Sequence, residues 1–314
     1  MLRSLSVLVL SVSLSGAAAA TTFRAGVSCN GPGQVSEGPA PVSEACSVSN
    51  QPLVGIVSSN GGSWDSFANA SAGPSGLYLN AWNVLDVAGG TFGEQTVSAS
   101  AEAVWTFDDF LVTGTGSAST PILGALHLWV DGQIYGGGYT DSQGPFTSFV
   151  NGIGEIYFEI EINGIYAGSG NAFYAFNDGN PIEQAFDLLS GHYGTGGAVS
   201  DSITSDQLLI PVGQTFDVRV RVVASTRAVV RILGTPADPS DTVTAGGSGL
   251  SNFQSTVSFA PSGPVFDLPP GYTVNSVSAG IVNNQLVPEP GVLWLLAGGT
   301  AGVFALRRRF SRAR

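Results

Sequence analysis

The chain has 314 residues, only 11% of them charged, with 11 arginines, no lysine and 23 acids. Residues 21–287 keep five arginines (Arg24, Arg219, Arg221, Arg227 and Arg231) against 22 acids, a net charge of −17 that repels phosphate backbones and excludes nucleic-acid binding. Its 43 glycines are about twice the usual share, but aromatic residues make up 10% of the chain, so disorder is excluded too and a secreted β protein is the expectation.

The N-terminus, MLRSLSVLVLSVSLSGAAAA, has Arg3 as a charged start and an apolar core over residues 5–14. Ala18-Ala19-Ala20 supplies small residues of the A-x-A type. This is the pattern of a secretory signal peptide cut after Ala20, giving a leader over residues 1–20. Export implies an oxidising compartment, where Cys29 and Cys46 are expected to form a disulfide around a Pro-, Gly- and Ser-rich loop. Closing a loop of this size stabilises by about 3 kcal/mol in the chain-entropy model.

Beyond this loop, period-two patterns dominate. In GEQTVSASAEAVWTFDDFLVTG, Val97, Ala99, Ala101, Ala103 and Trp105 share one parity, as expected for a strand with one buried face. ALHLWVDGQIYGGG reads as a hairpin with a type I′ turn at Asp131-Gly132. GEIYFEIEINGIYAG reads as a strand with Ile156, Phe158, Ile160 and Ile162 on one side, and QTFDVRVRVVAST places Val218, Val220 and Val222 opposite Arg219 and Arg221. PIEQAFDLLSG is the one segment that reads as a short helix, with Pro181 in its first turn and Gly191 at its end. Many short strands between Gly, Asn and Pro turns predict an all-β antiparallel β-sandwich with jelly-roll or Greek-key connections, spanning residues 21–286. Length alone does not choose between one large domain and two small ones.

Few residues suggest chemistry. His127 and His192 have no Cys, His or Asp at ligand spacing, which leaves a zinc site without support. No Gly-x-Ser-x-Gly nucleophile elbow is present. Glu159 and Glu161 lie roughly 7 Å apart on one strand face, between the carboxylate separations of retaining and inverting glycosidases. Such pairs normally come from different strands, so a solvated face or half a cation site is expected here. Asp108-Asp109 and the Asn177, Asp178, Asn180 loop offer oxygen ligands of the kind calcium takes, although turn chemistry alone explains the loop. Trp64, Trp82, Trp105, Trp129, Tyr135 and Tyr139 are candidates for a sugar-stacking platform, with most expected in the core.

The chain closes with VPEPGVLWLLAGGTAGVFALRRRFSRAR. Two prolines in Val287-Pro288-Glu289-Pro290 hold the chain extended. Residues 291–306 are apolar over 16 positions, slightly below the usual minimum for a spanning helix. Trp294 and the following Arg307, Arg308 and Arg309 would anchor such a helix with the arginines in the cytoplasm. Triplet, helix and basic end, in this order and with a signal peptide upstream, resemble the PEP-CTERM sorting signal of Gram-negative bacteria, here residues 287–314 with a tail at 307–314. The stretches SASAEAVWTFDDFLVTGTG and PVFDLPPGYTVNSVSAGIVNNQLVPEP are more loosely similar to other proteins of this kind.

The resemblance implies recognition of Val287, Pro288, Glu289 and Pro290 by an exosortase, a membrane cysteine transpeptidase, with cleavage near the triplet. It also implies association with extracellular polysaccharide, biofilm or floc. The expected protein is therefore exported, anchored in the inner membrane before processing, and then released to or held at the cell surface. The leading functional expectation is a non-enzymatic matrix or surface protein associated with exopolysaccharide and needing no cofactor. The runner-up is a carbohydrate-binding, lectin-like module assisted by calcium, and the third is a secreted glycoside hydrolase.

Overall fold

The alternation along residues 97–105 becomes a buried stripe. Val97, Ala99, Ala101, Ala103 and Trp105 are each at most 2% exposed, while Ser98 and Glu102 face outward. Ile156, Phe158, Ile160 and Ile162 are buried in the same manner, as are Val218, Val220 and Val222. Strands of this pattern must pair into sheets with one face covered. The computed structural model describes residues 21–52, 62–88, 93–115, 120–178, 180–189, 197–234 and 242–287. The signal peptide at 1–20 and the sorting segment from Pro288 onward lie outside the described residues. Within them no helix is long and apolar enough to cross a membrane.

Strands β1 (Thr22–Cys29) and β2 (Gln34–Gly38) form a hairpin at the edge of a first sheet. The chain then crosses to β3 (Val42–Pro52), the edge of a second sheet, and meanders through β4 (Gly62–Gly73) and β5 (Gly76–Ala88). It returns as β6 (Gly93–Gly114) beside β1 and crosses again as β7 (Ile122–Gln143). Strands β8 (Thr147–Ile162), β9 (Ile165–Asn177) and β10 (Asn180–Asp187) meander to the far edge of the first sheet. β11 (Ala198–Thr204) and β12 (Leu208–Ile210) pair with β7.

Two late strands complete the sheets. β13 (Thr215–Leu233) inserts between β6 and β8, and β14 (Thr242–Phe259) inserts between β5 and β7. β15 (Phe266–Asp267) and β16 (Tyr272–Asn275) then cap β7 and β6, and β17 (Ile281–Val282) pairs with β18 (Gln285–Leu286). The first sheet runs β10-β9-β8-β13-β6-β1-β2 and the second β11-β7-β14-β5-β4-β3. All pairs of named strands are antiparallel, as the sequence predicts.

The layer between the sheets is graded. At one end Trp105, Phe107, Phe110, Phe216, Phe259 and Phe266 fill it, with Trp105 stacked on Phe259 at 4.8 Å. Toward the middle, Ala68, Ala70, Ala81, Ala99 and Ala101 replace them. Next comes a waist without apolar side chains, lined by Gly136, Gly152, Gly154 and Gly249. There Asn83 donates to Thr226 Oγ1 (2.9 Å) and the Val97 carbonyl (3.2 Å), and accepts from the Gly249 N–H (3.1 Å). Beyond the waist a second, smaller core of Leu85, Val87, Val150, Val230, Ile232 and Val243 begins, with Trp64 packed against it.

Two local expectations are overturned. Asp131-Gly132 is not a turn, because β7 runs straight through it, paired with Ser200 and Val199 on β11. The glycine serves packing instead: a Cβ there would lie 2.1 Å from the Phe253 ring. The segment from Pro181 forms the edge strand β10 on β9 rather than a helix. An open sheet edge outcompetes a weak helix, and proline is tolerated on an edge. Two-residue turns do occur at Asn163-Gly164, with φ of 54° and 68°, between β8 and β9, and at Asn283-Asn284, with φ of 51° and 63°, between β17 and β18.

Candidate functional site

Pairing registers place a row of large side chains on the outer face of the second sheet. Phe67 on β4 is opposite Trp82 on β5, Trp82 is opposite Leu250 on β14, and Leu250 is opposite Tyr135 on β7. The Phe67 and Trp82 rings lie 6.2 Å apart and 24° from parallel. Tyr135 is 45% exposed. Four strands at ordinary spacing make this row about 14 Å long.

Two residues along each strand, the neighbouring row consists of amides: Asn69, Asn80, Asn252 and Gln133. On the other side Tyr139 donates its hydroxyl to Asp86 Oδ1 at 3.0 Å, reaching across Gly246. A Cβ on Gly246 would sit 2.4 Å from the Tyr139 ring, so the glycine keeps that contact open. Burial, then the hydrogen bond Tyr139 donates to Asp86 and the negative charge of that carboxylate, raise the Tyr139 pKa above its ordinary value.

The charge of the two sheets differs sharply. No arginine or lysine occurs on any strand of the second sheet, which carries Glu44, Asp65, Asp86, Asp131, Asp141, Asp201 and Asp267. All five arginines of residues 21–287 lie on β1 and β13 of the first sheet. There Arg221 pairs with Glu102 (2.6 Å) and Glu159 (3.8 Å), Arg219 with Glu161 (2.9 Å) and Arg24 with Glu102 (3.6 Å). Glu159 and Glu161 therefore face arginines on a half-buried outer surface.

The other sequence candidates are dispersed. Trp105 is fully buried, Trp64 belongs to the smaller core, and Trp129 is half-buried on β7. His127 sits between Thr204 Oγ1, 2.9 Å from Nδ1, and Asp267 Oδ1, 3.4 Å from Nε2. His192 lies outside the described residues. Asp109 accepts from Ser276 and Ser278, and so fastens the C-terminal segment to β6. Asp178 adopts a φ of 46° in the turn between β9 and β10, with its N–H on the Val150 carbonyl. Among the described residues no three His, Cys, Asp or Glu converge as metal ligands. Cys29 and Cys46 are bonded and join β1 of the first sheet to β3 of the second.

Of the sorting residues, Val287 is described. It is 42% exposed and donates its N–H to the Gly280 carbonyl at 2.8 Å. Pro288, Glu289, Pro290, Arg307, Arg308 and Arg309 fall outside the described residues. No curated protein matches the chain. The family model of the PEP-CTERM protein-sorting motif matches residues 286–309, which includes the Pro-Glu-Pro triplet, the apolar run and the first arginines. The chain thus carries a PEP-CTERM protein-sorting motif behind an all-β body, which marks it as an exosortase-targeted, secreted, surface-directed protein.

Proposed function

We propose that the protein is a non-enzymatic component of the extracellular matrix or cell surface, and that its second sheet holds a neutral polysaccharide. The row Phe67, Trp82, Leu250 and Tyr135 beside the amide row carries this reading. Aromatic rings accept the apolar faces of sugars, and amides exchange hydrogen bonds with hydroxyls. A face without a cation cannot neutralise carboxylate or sulfate groups, which favours an uncharged polymer. These contacts need no metal, so chelation is expected to leave binding unchanged.

Affinity electrophoresis of the secreted protein through gels containing neutral or acidic exopolysaccharide tests the assignment. The neutral polymer is expected to retard the protein and the acidic one to leave it unretarded. Trp82→Ala with Tyr135→Ala should abolish the retardation while circular dichroism stays unchanged. Equal retardation of the double variant, or none for the wild type, overturns the site. Release of new reducing ends from the polymer would overturn the non-enzymatic reading.

A further inference from the structure

The body remains hydrogen-bonded up to the residue before the triplet. Asn284 clamps Phe266 in both directions, accepting from its N–H (2.8 Å) and donating to its carbonyl (2.7 Å). Val287 closes onto Gly280, whose own N–H donates to the Val277 carbonyl at 3.2 Å. Three residues separate Val287 from the apolar run at 291–306, so the α-carbons of residues 287 and 291 are at most about 14 Å apart. A headgroup layer is itself about 5–8 Å deep. No slack exists to lift this end of the sandwich far from a bilayer.

The surface of that end is suited to such a position. Val277 is 94% exposed, Val282 51% and Val287 42%. Leu123 and Leu209, cross-strand partners on β7 and β12, are 52% and 61% exposed. They adjoin the same cap, since a Cβ at neighbouring Gly124 would meet Leu268 at 3.0 Å. Residues 260–287 contain a single charged side chain, Asp267, in a body of net charge −17. An apolar tip with few charges, Asp267 and the Asp109 bonded to Ser276 and Ser278 among them, has on this acidic molecule the character expected at a lipid interface.

We propose that, before processing, the sandwich stands on the membrane with this tip in the lipid headgroup layer, Val277 and Leu209 making the contact. The proposal rests on the reading of residues 291–306 as a membrane span. It is tested on the full chain reconstituted in vesicles of phosphatidylethanolamine and phosphatidylglycerol, which contain no processing enzyme. Single variants Val277→Cys, Leu209→Cys, Leu233→Cys and Leu296→Cys carry an environment-sensitive fluorophore. Leu233 lies at the opposite end of β13, about 60 Å from Thr215.

Lipid-borne nitroxides should quench the labels at 277, 209 and 296. Aqueous iodide should quench the label at 233 several-fold more strongly than those three. If 296 is quenched by lipid while 277 and 209 are as open to iodide as 233, the tip does not touch lipid and the proposal fails with the span intact. If 296 is not quenched by lipid, the span reading fails and takes the proposal with it.

Discussion

Gly152 shows how single positions set the shape of this sandwich. Facing sheets ordinarily stand about 10 Å apart, yet a Cβ on Gly152 would lie 2.1 Å from the Ser248 carbonyl and 2.2 Å from that of Gly137. At the waist the backbones of β8, β7 and β14 are in direct contact, and Asn83 satisfies polar groups there in place of apolar packing. Gly152→Ala must push backbone against backbone, which no rotamer change relieves, and should destabilise by about 3 kcal/mol or more. Gly38→Ala, where nothing lies within 4 Å, should stay within about 0.5 kcal/mol of wild type. Urea denaturation measures both, and equal midpoints would contradict backbone contact at the waist. The high glycine content was visible in the sequence. Its meaning was not, because Gly136 and Gly152 lie on strands of opposite sheets and Gly249 joins them from about 100 residues further along the chain.

Strands themselves were far more legible than the links between them. Period-two burial identifies β6, β8 and β13 directly, since one covered face leaves its mark on every second residue. The two misread segments share a cause. Asp131-Gly132 and the stretch from Pro181 carry local turn and helix signals that pairing with β11 and β9 overrides. The Asn163-Gly164 turn was readable from its dipeptide, but the apolar alternation on either side hides it within one long strand pattern. The Cys29–Cys46 bond was legible from export and spacing, while its role in tying β1, next to the edge of one sheet, to the edge strand β3 of the other required the topology. With a sequence separation of 17 between the cysteines, replacing both by serine should cost about 3 kcal/mol. For a body of this size that lowers the melting temperature by roughly 6 °C. Calorimetry of the double variant checks this, and an unchanged transition would mean that pairing of β3 with β4 holds the edge unaided.

At the scale of the molecule, address and activity are separable. The sorting motif is contiguous, so its triplet, apolar run and arginines can be read in one pass. The row proposed to bind sugar draws on positions 67, 82, 135 and 250, which only the registers of four strands bring together. Trp82, Tyr135 and Tyr139 were visible as candidates, and the parity of its strand set Trp105 apart as buried, but nothing in the sequence placed the other rings on one face. The segregation of all five arginines onto the first sheet was equally hidden. Because the body is hydrogen-bonded through Val287 and the Pro-Glu-Pro triplet begins immediately after it, changing the triplet should alter the address without touching the fold. Replacing Pro288, Glu289 and Pro290 by alanine should therefore leave a folded precursor, retained in the membrane fraction at its uncleaved mass. The wild type should be recovered from the native cells beginning at Thr21 and lacking its arginine tail. Intact-mass measurement of both fractions decides the matter: a triple variant found at the wild-type mass and location would show that processing does not read these residues.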